Sequence, residues 1–548
     1  MNTHQTLSPV QDGEIAVVNG YNRGSLDVTI LTQAKGESLV GRLVSLPIVS
    51  NKGETLVLAR IVDVGMVNPI HSDGHFHQVI ADNGGVDYYS GDCDVWNAVV
   101  EVVSAIDKDS EEFTAITCPP HSGSRLRFVD ADTQALFRLE KTHYFNVGHL
   151  PGQPENLISL TNRSFGKYED GGYGEAKHCV VIGQNGSGKT VLALAKLAGQ
   201  LVANPLMGCL VPDTAGDITK GGSHSKGDFI FNFNELLAEG GRVAEQIPID
   251  EIRLTSKPGW ARFAAPFLRS QFNMAVDKAE ELARRLADIL FDKKVEIAKA
   301  EAIDVLNAVA EWIEKVYTGA KRKEKLEEVQ EIQDNTRLRV VFCDRYEEDV
   351  AHFFRGSYVV DDLIKGFLTD GRIYLINMAS LSERDQQLVM YEIFSKVKRT
   401  AEVEFKIRGT TFNGIIALDE GPRWVPEGAG DEVSSTIVDA YNTTRKYGIG
   451  WMIISQRVAS IKKDVVAQAH TLYFGRGLGV GADLEHLKNA LGADGLIEYN
   501  NLSLQGGYFW MAVGHEVNLG QGNKHVAFHT FGGDSNARIK AVNPHIWG

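Results

Sequence analysis

The 548-residue chain is longer than a single hydrophobic core usually serves, so two or three domains are expected. Hydrophobic residues make up 43% of the sequence and charged residues 23%, and no run of about 18 apolar residues could span a bilayer. This composition argues against a small disulfide-stapled scaffold and against membrane insertion. The N-terminus lacks the basic start and the apolar stretch of a secretory signal, which predicts a cytoplasmic protein.

The formal net charge of −15 gives no sign of nucleic-acid binding, which needs local groups of Lys and Arg. It does not exclude such binding either. A ring-shaped motor can line a narrow channel with a few basic loops while its outer surface stays acidic.

The N-terminal region, residues 13–130, contains short runs of β-branched and apolar residues separated by Asn, Gly, Asp and Pro. Many short strands with regular turn signals predict a small antiparallel barrel or sandwich without long helices. His71, His75 and His77 lie in a turn-rich stretch, where solvated loop residues are a better interpretation than metal ligands.

The first chemical motif is a glycine-rich loop between a predicted strand, Cys179–Ile182, and a predicted helix at 191–202. Its backbone N–H groups and the positive end of the helix suit the charge of a β-phosphate. Lys189 is expected to reach the β- and γ-phosphates, and Thr190 to bind Mg²⁺ through its hydroxyl. The predicted nucleotide-binding residues of the loop are Gly183, Gln184, Asn185, Gly186, Ser187, Gly188, Lys189 and Thr190.

Further apolar strands alternate with helical segments along the chain, which predicts an α/β fold with a mainly parallel sheet. Long charged segments of helical periodicity interrupt this alternation and predict a helical insertion. The predicted domains are an N-terminal β-barrel at 1–150, an ATPase core at 151–245 and 337–530, a helical insertion at 246–336, and a C-terminal tail at 531–548.

Within the insertion, apolar residues at spacings of three and four predict an amphipathic helix. They are Ile303, Leu306, Val309, Ile313 and Val316. The charged run at 321–325 is better interpreted as a solvated face than as a contact to a phosphate backbone. A basic run at 457–463 leaves two interpretations open, a solvated loop or a contact that couples nucleotide state to DNA.

A second motif is the apolar strand 415–418 followed by Asp419 and Glu420. Successive side chains of a strand point to opposite faces, so the two carboxylates can take different roles. We assign Asp419 to the Mg²⁺ site, through water, and Glu420 to the general base that activates the attacking water. The alternative is a solvated strand end.

Two more polar residues are candidates for catalysis. Gln456 follows the apolar strand 451–454, where it could hydrogen-bond the γ-phosphate or the attacking water, with a helix or loop cap as the alternative. Arg445 precedes the same strand. In a ring it could enter the site of the neighbouring subunit and neutralise transition-state charge, whereas a surface salt bridge is the alternative.

Asp213 and Asp217 follow the strand 208–212, at the sheet edge where α/β proteins bind ligands. Either carboxylate could join the outer shell of the metal. Turn geometry alone also selects Asp before a Gly-containing turn, and this is the favoured interpretation.

The order of these parts resembles the HerA branch of the HerA/FtsK superfamily of P-loop motors. The resemblance covers most of the chain. Its motifs are Lys177-His178 before the loop strand, the segment from Asp213 to Asp217, the pair Asp419-Glu420, the run Arg445-Lys446-Tyr447-Gly448, and Ser455-Gln456.

The resemblance implies a RecA-like ATPase core, a HerA-type barrel, and a homo-hexamer that uses ATP and Mg²⁺ to translocate on double-stranded DNA. Partner effector proteins dock on the barrel in that family. By position, Arg445 matches the trans-acting arginine of the family. Lys177 stands where many relatives carry an Arg that contacts nucleotide across the interface, and Asp217 replaces the usual Glu.

HerA relatives work with a NurA-type nuclease in DNA end processing, or with a sirtuin-like or nuclease effector in bacterial anti-phage defence. Lys177 and Asp217 depart from the archaeal repair pattern, which favours the defence type. A different class of function stays open: a ring-shaped scaffold whose ATPase gates a partner enzyme without DNA translocation.

Overall fold

The computed structural model describes residues 10–22, 24–50, 53–84, 90–214, 216–219, 222–291, 297–428, 430–503, 508–520 and 525–548. Within these ranges the β-strands form a closed barrel, a large mixed sheet and two small ribbons. None of the described helices combines the length and the apolar character that crossing a bilayer requires.

The N-terminal strands close into a barrel in the order β1-β2-β5-β4-β3-β6, which confirms the predicted barrel. Alternation of apolar and polar residues builds its interior, as on β2, where Leu26, Val28 and Ile30 are buried and Asp27 is exposed. The barrel strands are β1 (Glu14–Asn22), β2 (Ser25–Ile30), β3 (Leu43–Ser50), β4 (Gly53–Val67), β5 (Val95–Asp107) and β6 (Arg125–Phe128), accompanied by the short helices α1 (His77–Asn83) and α2 (Ala131–Leu136).

The remaining strands belong mainly to the α/β part of the chain. They are β7 (Tyr144–Leu150), β8 (Gln153–Thr161), β9 (Cys179–Ile182), β10 (Gly208–Asp213), β11 (Ser223–Lys226), β12 (Phe229–Asn232), β13 (Ala244–Pro248), β14 (Ile252–Arg253), β15 (Tyr358–Val359), β16 (Ile373–Asn377), β17 (Gly414–Leu418), β18 (Ile449–Ser455), β19 (Thr471–Gly475), β20 (Phe509–Gly514) and β21 (His525–Thr530).

In the described residues the large sheet has the order β13-β16-β10-β17-β18-β9-β19-β20-β21-β7-β8. Its strands from β13 to β19 are parallel, and antiparallel strands extend it from β20 onward. The parallel strands are almost continuously buried, because helices cover both faces of a parallel sheet. The strands predicted at 179–182, 208–212, 415–418 and 451–454 are thereby confirmed.

Helices cover the large sheet and form the insertion. They are α3 (Lys189–Ala203), α4 (Phe233–Glu239), α5 (Lys257–Phe272), α6 (Val276–Phe291), α7 (Ala302–Val316), α8 (Gly319–Asp334), α9 (Thr336–Asp349), α10 (Val360–Leu368), α11 (Glu383–Arg408), α12 (Gly421–Trp424), α13 (Glu432–Thr444), α14 (Lys463–Ala467), α15 (Gly481–Leu502), α16 (Ser535–Val542) and α17 (Pro544–Trp547).

The insertion is helical as predicted, but its helices continue past residue 336. Helix α9 packs on α5 through Phe342, whose ring centroid lies 5.1 Å from that of Phe267. On α7, the predicted apolar positions divide. The buried ones are Leu306, Val309 and Ile313, whereas Ile303 and Val316 lie near the two ends of the helix and are exposed.

Two predicted boundaries fall within structural units. Residue 150 is the last residue of β7, which pairs with β8 in the large sheet, so the barrel ends before residue 144. The segment predicted as a tail holds α16 and α17 against the core. There the backbone N–H of Asn146 donates to Asn543 Oδ1 at 2.6 Å, and that of Asn232 to Asn536 Oδ1 at 3.1 Å.

Candidate nucleotide site

The glycine-rich loop leaves the carboxyl end of β9 and enters α3, in the strand-to-helix setting that the sequence predicts. Gly186 and Gly188 have φ angles of 77° and 85°, a region that glycine adopts without the steric cost that Cβ imposes. Gly188 is the residue that caps α3, and a Cβ on Gly183 would lie 2.5 Å from Ser187 Oγ. Glycines therefore shape the loop for close approach of a ligand.

Backbone hydrogen bonds anchor this loop to its two neighbouring strands. The N–H of Gly183 donates to the carbonyl of Ser455 at 3.1 Å, at the end of β18, and the N–H of Gln184 donates to the carbonyl of Arg476 at 3.1 Å, just after β19. The position of the loop is thus tied to the ends of both adjacent strands.

Two side chains of the loop leave polar capacity for an anionic ligand. Lys189 Nζ donates to the carbonyl of Gln184 at 3.1 Å. Burial lowers the pKa of Lys189, and the charge of Asp419 opposes that shift. Within the described residues, Ser187 Oγ is buried and has no hydrogen-bond partner. These donors fit a phosphate group, which would accept hydrogen bonds from both.

Asp419 and Glu420 follow β17, and β18 separates that strand from the loop strand β9. Burial raises the pKa of Asp419, the charges of Glu420 and Asp213 raise it further, and Lys189 acts in the opposite direction. A half-buried carboxylate near two other carboxylates is a place where a divalent cation is favourable. Asp419, which interacts electrostatically with Lys189 of the loop, therefore fits the predicted Mg²⁺ site, and Thr190 is the next residue of that loop.

Glu420 is held in an uncommon conformation. Its φ is 53°, in the left-handed region that non-glycine residues rarely adopt. Its carboxylate accepts a hydrogen bond from Thr214 Oγ1 at 3.2 Å and lies 3.8 Å from the guanidinium of Arg423. The side chain is 56% exposed, so water can reach it.

Gln456 follows the last residue of β18 and is exposed at the same edge of the sheet. Since β18 lies between β9 and β17, the structure places Gln456 between the glycine loop and the Asp419-Glu420 pair along that edge. The three predicted elements of the site thus meet at the carboxyl ends of neighbouring parallel strands.

Asp213 is occupied by its own turn. Its carboxylate accepts from the N–H of Gly216 at 3.0 Å and from the N–H and hydroxyl of Thr219 at 2.7 and 2.9 Å. Asp217 is exposed. The turn interpretation of this segment is confirmed for Asp213, whose carboxylate accepts three hydrogen bonds within the turn.

Arg445 and Lys177 lie at the opposite end of the sheet, ahead of β18 and β9. The two cations flank Glu175, with N–O distances of 3.5 Å for Arg445 and 3.9 Å for Lys177. Arg445 also hydrogen-bonds His470 Nε2 at 3.1 Å. The four residues of β9 span about 13 Å, so neither cation meets the glycine loop of its own chain.

Sequence reasoning missed Thr214, Arg476 and Tyr499. A cavity of about 530 Å³ beside the loop is lined by Gln184, Asn185, Ser187, Arg476, Gly477, Gly479, Tyr499, Asn500 and Ser503. Thr214 and Arg476 each follow an apolar strand, which is the signal that identified Asp419 and Gln456. Tyr499 is on a helix and carries no such signal.

The glycine loop on β9, the carboxylate pair on β17 with β18 between them, and the parallel order β10-β17-β18-β9-β19 define a RecA-like P-loop fold. No protein-family model matches the chain, and no curated protein matches it.

Similar solved structures include the plasmid coupling protein TrwB, a bacterial conjugative protein, in complex with a non-hydrolysable ATP analogue. It has 13% identity and a TM-score of 0.42, with 74% of this chain and 93% of that chain covered. TrwB with a non-hydrolysable GTP analogue has 12% identity and a TM-score of 0.41, with 74% of this chain and 93% of that chain covered. The genome packaging NTPase B204 from Sulfolobus turreted icosahedral virus 2 has 8% identity and a TM-score of 0.29, with 65% of this chain and 98% of that chain covered.

Proposed function

We propose that the chain is an ATP-hydrolysing, HerA-type motor that forms a homo-hexamer and moves on or remodels double-stranded DNA together with a partner effector. One observation carries the proposal: the phosphate loop and the carboxylates lie at one end of the sheet, while Arg445 lies at the other. Arg445 is 45% exposed and cannot reach its own loop, so it is available to the site of a neighbouring subunit.

In this proposal the loop from Gly183 to Thr190 binds the phosphates of ATP. Its backbone N–H groups and the N-terminus of α3 hold the β-phosphate, and Lys189 neutralises the β- and γ-phosphates. Thr190 and Asp419 would hold Mg²⁺, which supplies charge neutralisation for the phosphate oxygens. The negative charges of Glu420 and Asp213 near the half-buried Asp419 are the observation that supports a cation there.

Glu420 is the proposed general base. Its carboxylate accepts the proton of the attacking water while Gln456 orients that water from the neighbouring strand end. Thr214 donates to Oε2 of this carboxylate, so Oε1 is the oxygen that would accept the proton. Arg445 of the adjacent subunit then stabilises the charge that develops on the transferred phosphoryl group.

The proposed partner is an effector, a nuclease or a sirtuin-like protein, that docks on the barrel. The proposed setting is bacterial anti-phage defence, supported by the departures at Lys177 and Asp217 from the archaeal pattern, with DNA end processing alongside a NurA-type nuclease as the alternative. Co-purification of the protein with the products of adjacent genes distinguishes the two, since a NurA-type nuclease in the complex would contradict the defence role.

Mixed assemblies test the trans role of Arg445. Lys189→Ala and Arg445→Ala subunits are inactive alone, but mixing them in equal amounts rebuilds complete sites at about a quarter of the subunit interfaces. ATP hydrolysis should therefore reappear on mixing. The control replaces Arg445→Ala with Arg408→Ala, an exposed arginine at the end of α11 paired with Glu404.

In that control, the Arg408→Ala subunits keep both Lys189 and Arg445. ATP hydrolysis should therefore only decrease as Lys189→Ala subunits are added. Absence of any recovery between Lys189→Ala and Arg445→Ala across all mixing ratios contradicts a trans role. Hydrolysis by Arg445→Ala subunits alone at the wild-type rate contradicts it as well.

A further inference from the structure

A buried ionic cluster joins the barrel to the ATPase core. Arg60 on β4 has no exposed surface, and its guanidinium lies 2.8 Å from Glu101 on β5 and 2.8 Å from Glu498 on α15. His525 on β21 hydrogen-bonds Glu498 at 3.0 Å and also contacts Arg60. Burial lowers the pKa of His525 and the charge of Arg60 adds to that effect, whereas Glu498 and Glu101 oppose it.

Removing one member of such a buried cluster leaves an unpaired charge away from water, which strongly destabilises the fold. The cluster is therefore expected to hold the barrel against the core. The C-terminal end of α15 also contacts the barrel through Asn501, whose Nδ2 lies 3.5 Å from Asp63 Oδ1. Leu502 packs so closely on Gly41 that a Cβ there would lie 2.8 Å from it. The barrel and this end of α15 are therefore joined by ionic, polar and apolar contacts.

The residue after Glu498 connects the same helix to the nucleotide site. The Tyr499 side chain is buried, and its hydroxyl donates to the carbonyl of Gly475 at 2.8 Å and accepts from the N–H of Leu478 at 3.1 Å. These two bonds fix both ends of the segment 475–478 that follows β19.

Segment 475–478 in turn contacts the glycine loop. Its Arg476 carbonyl accepts from the N–H of Gln184 at 3.1 Å, and a Cβ on Gly477 would lie 2.3 Å from the Gln184 side chain. A displacement of Gln184 on ligand binding therefore reaches Tyr499 through one short segment. The cavity of about 530 Å³ bordered by these residues gives the segment space to shift.

Helix α15 is divided by Gly492, whose φ of 74° and ψ of −175° are not helical. Its last ten residues, 493–502, carry both Glu498 and Tyr499 and form a unit separate from the first part of the helix. Because residues 493–502 pack on the barrel and on segment 475–478, a small shift of that segment can be transmitted to the barrel.

We infer that the end of α15, residues 493–502, couples occupancy of the glycine loop to the barrel, with Tyr499 as a positioning residue for the loop. The inference rests on the proposed binding of nucleotide there. Coupling is reciprocal, so a protein bound to the barrel would change nucleotide affinity by the same factor that nucleotide changes affinity for that protein.

The test compares the full-length protein with Tyr499→Phe, which removes the hydroxyl and keeps the ring. Nucleotide binding is measured by titration with a fluorescent ATP analogue, and amide hydrogen exchange of β4 is measured with and without a non-hydrolysable ATP analogue. In the wild type, nucleotide should slow exchange in β4 by about fivefold or more. Tyr441→Phe is the matched control, because its buried hydroxyl bonds the Val465 carbonyl away from α15.

At nucleotide concentrations that the titration shows to be saturating for each protein, the response of β4 should be lost in Tyr499→Phe and kept in Tyr441→Phe. Glu498→Gln, a second variant on the barrel side of the helix, should also lose it. A Tyr499→Phe protein with an unchanged β4 response overturns the inference, as does a wild type that binds nucleotide without any response. Failure of the wild type to bind nucleotide contradicts the proposed function itself.

Discussion

The two ends of the parallel strands differ in how their polar groups are satisfied. At the carboxyl ends, Ser187 Oγ is buried without a partner among the described residues, and the half-buried Asp419 lies near the carboxylates of Glu420 and Asp213. At the amino ends, His178 is fully paired: its Nε2 lies 2.9 Å from the Tyr441 carbonyl and its Nδ1 accepts from the N–H of Trp451 at 3.2 Å. The carboxyl ends therefore offer polar groups to a ligand, whereas the buried His178 at the amino ends already has hydrogen-bond partners for both ring nitrogens.

The end of the sheet at which the parallel strands begin nevertheless presents an exposed cation, Arg445. Arg445 is 45% exposed, while Lys177 is 20% exposed and lies 5.1 Å from the Tyr173 ring. Of the two residues predicted to act across an interface, Arg445 is the better placed to leave its own chain. Lys177 is held by an aromatic ring and Glu175, a local arrangement that stabilises the fold.

The largest effect expected at the carboxyl-terminal end follows from Glu420→Gln. An amide cannot accept the proton of the attacking water, so kcat for ATP hydrolysis should fall by about 10³-fold while nucleotide affinity is retained. Single-turnover hydrolysis and nucleotide titration measure the two quantities. Glu427→Gln is the control, since Glu427 is paired with Lys463 away from the loop and should leave kcat unchanged.

A Glu420→Gln protein with wild-type kcat would remove Glu420 from the chemistry. It would also weaken the contrast between the two ends, because the polar groups at the carboxyl ends would then bind a ligand without reacting.

Local sequence pattern predicted much of the α/β core. The strand Cys179–Ile182, the helix that follows its glycine loop and the strand ending at Asp419 all appear where apolar runs and turn residues indicate them. The pattern says which segments are strands, because burial on both faces needs continuous apolar residues. It does not say which distant strands pair, so the place of β7 and β8 in the large sheet was not predicted.

The same limit applies to the candidate site. Its ligand-facing residues follow apolar strands and could be found one by one. The hydrogen bond from Thr214 to Glu420 joins residues 206 positions apart, and the contact from Arg60 to Glu498 joins the barrel to a helix near the C-terminus. Only the folded chain brings such pairs together, since periodicity carries no information on long-range partners.

A smaller effect, on the stability of the nucleotide-free protein, should appear with Asp419→Asn. The pKa of Asp419 is raised by burial, so its ionised form costs free energy in the folded protein, and this cost disappears as pH falls through the raised pKa. Replacing the carboxylate should therefore increase the free energy of unfolding of the nucleotide-free protein by about 1 kcal/mol at neutral pH, while hydrolysis is lost.

Urea unfolding at neutral pH measures this change. Asp288→Asn, an exposed position on α6, is the control and should leave both stability and hydrolysis unchanged. A destabilised Asp419→Asn protein would show that the carboxylate is favourable without a cation, and the ligand-binding end would then resemble the paired end.

The smallest effect concerns the end of the sheet at which the parallel strands begin. There, lowering the pH should reduce stability, whereas at Asp419 it should increase it. Burial lowers the pKa of His178 to about 3 and that of His470 to about 4, and for His470 the charges of Lys177 and Arg445 add to the lowering. Both rings stay neutral in the folded protein but take up protons in the unfolded chain below about pH 6.5. Their contribution to stability is therefore fully present above that pH and is lost as pH falls toward 4.

Replacing His470 by Gln isolates this contribution, because the amide keeps hydrogen-bonding capacity but does not titrate. Between pH 6.5 and 4, the slope of unfolding free energy against pH should fall by about one proton relative to the wild type. His77→Gln, an exposed histidine at the start of α1, should leave the slope unchanged. An unaltered slope in His470→Gln would mean that His470 is protonated in the folded state, which the nearby guanidinium of Arg445 opposes.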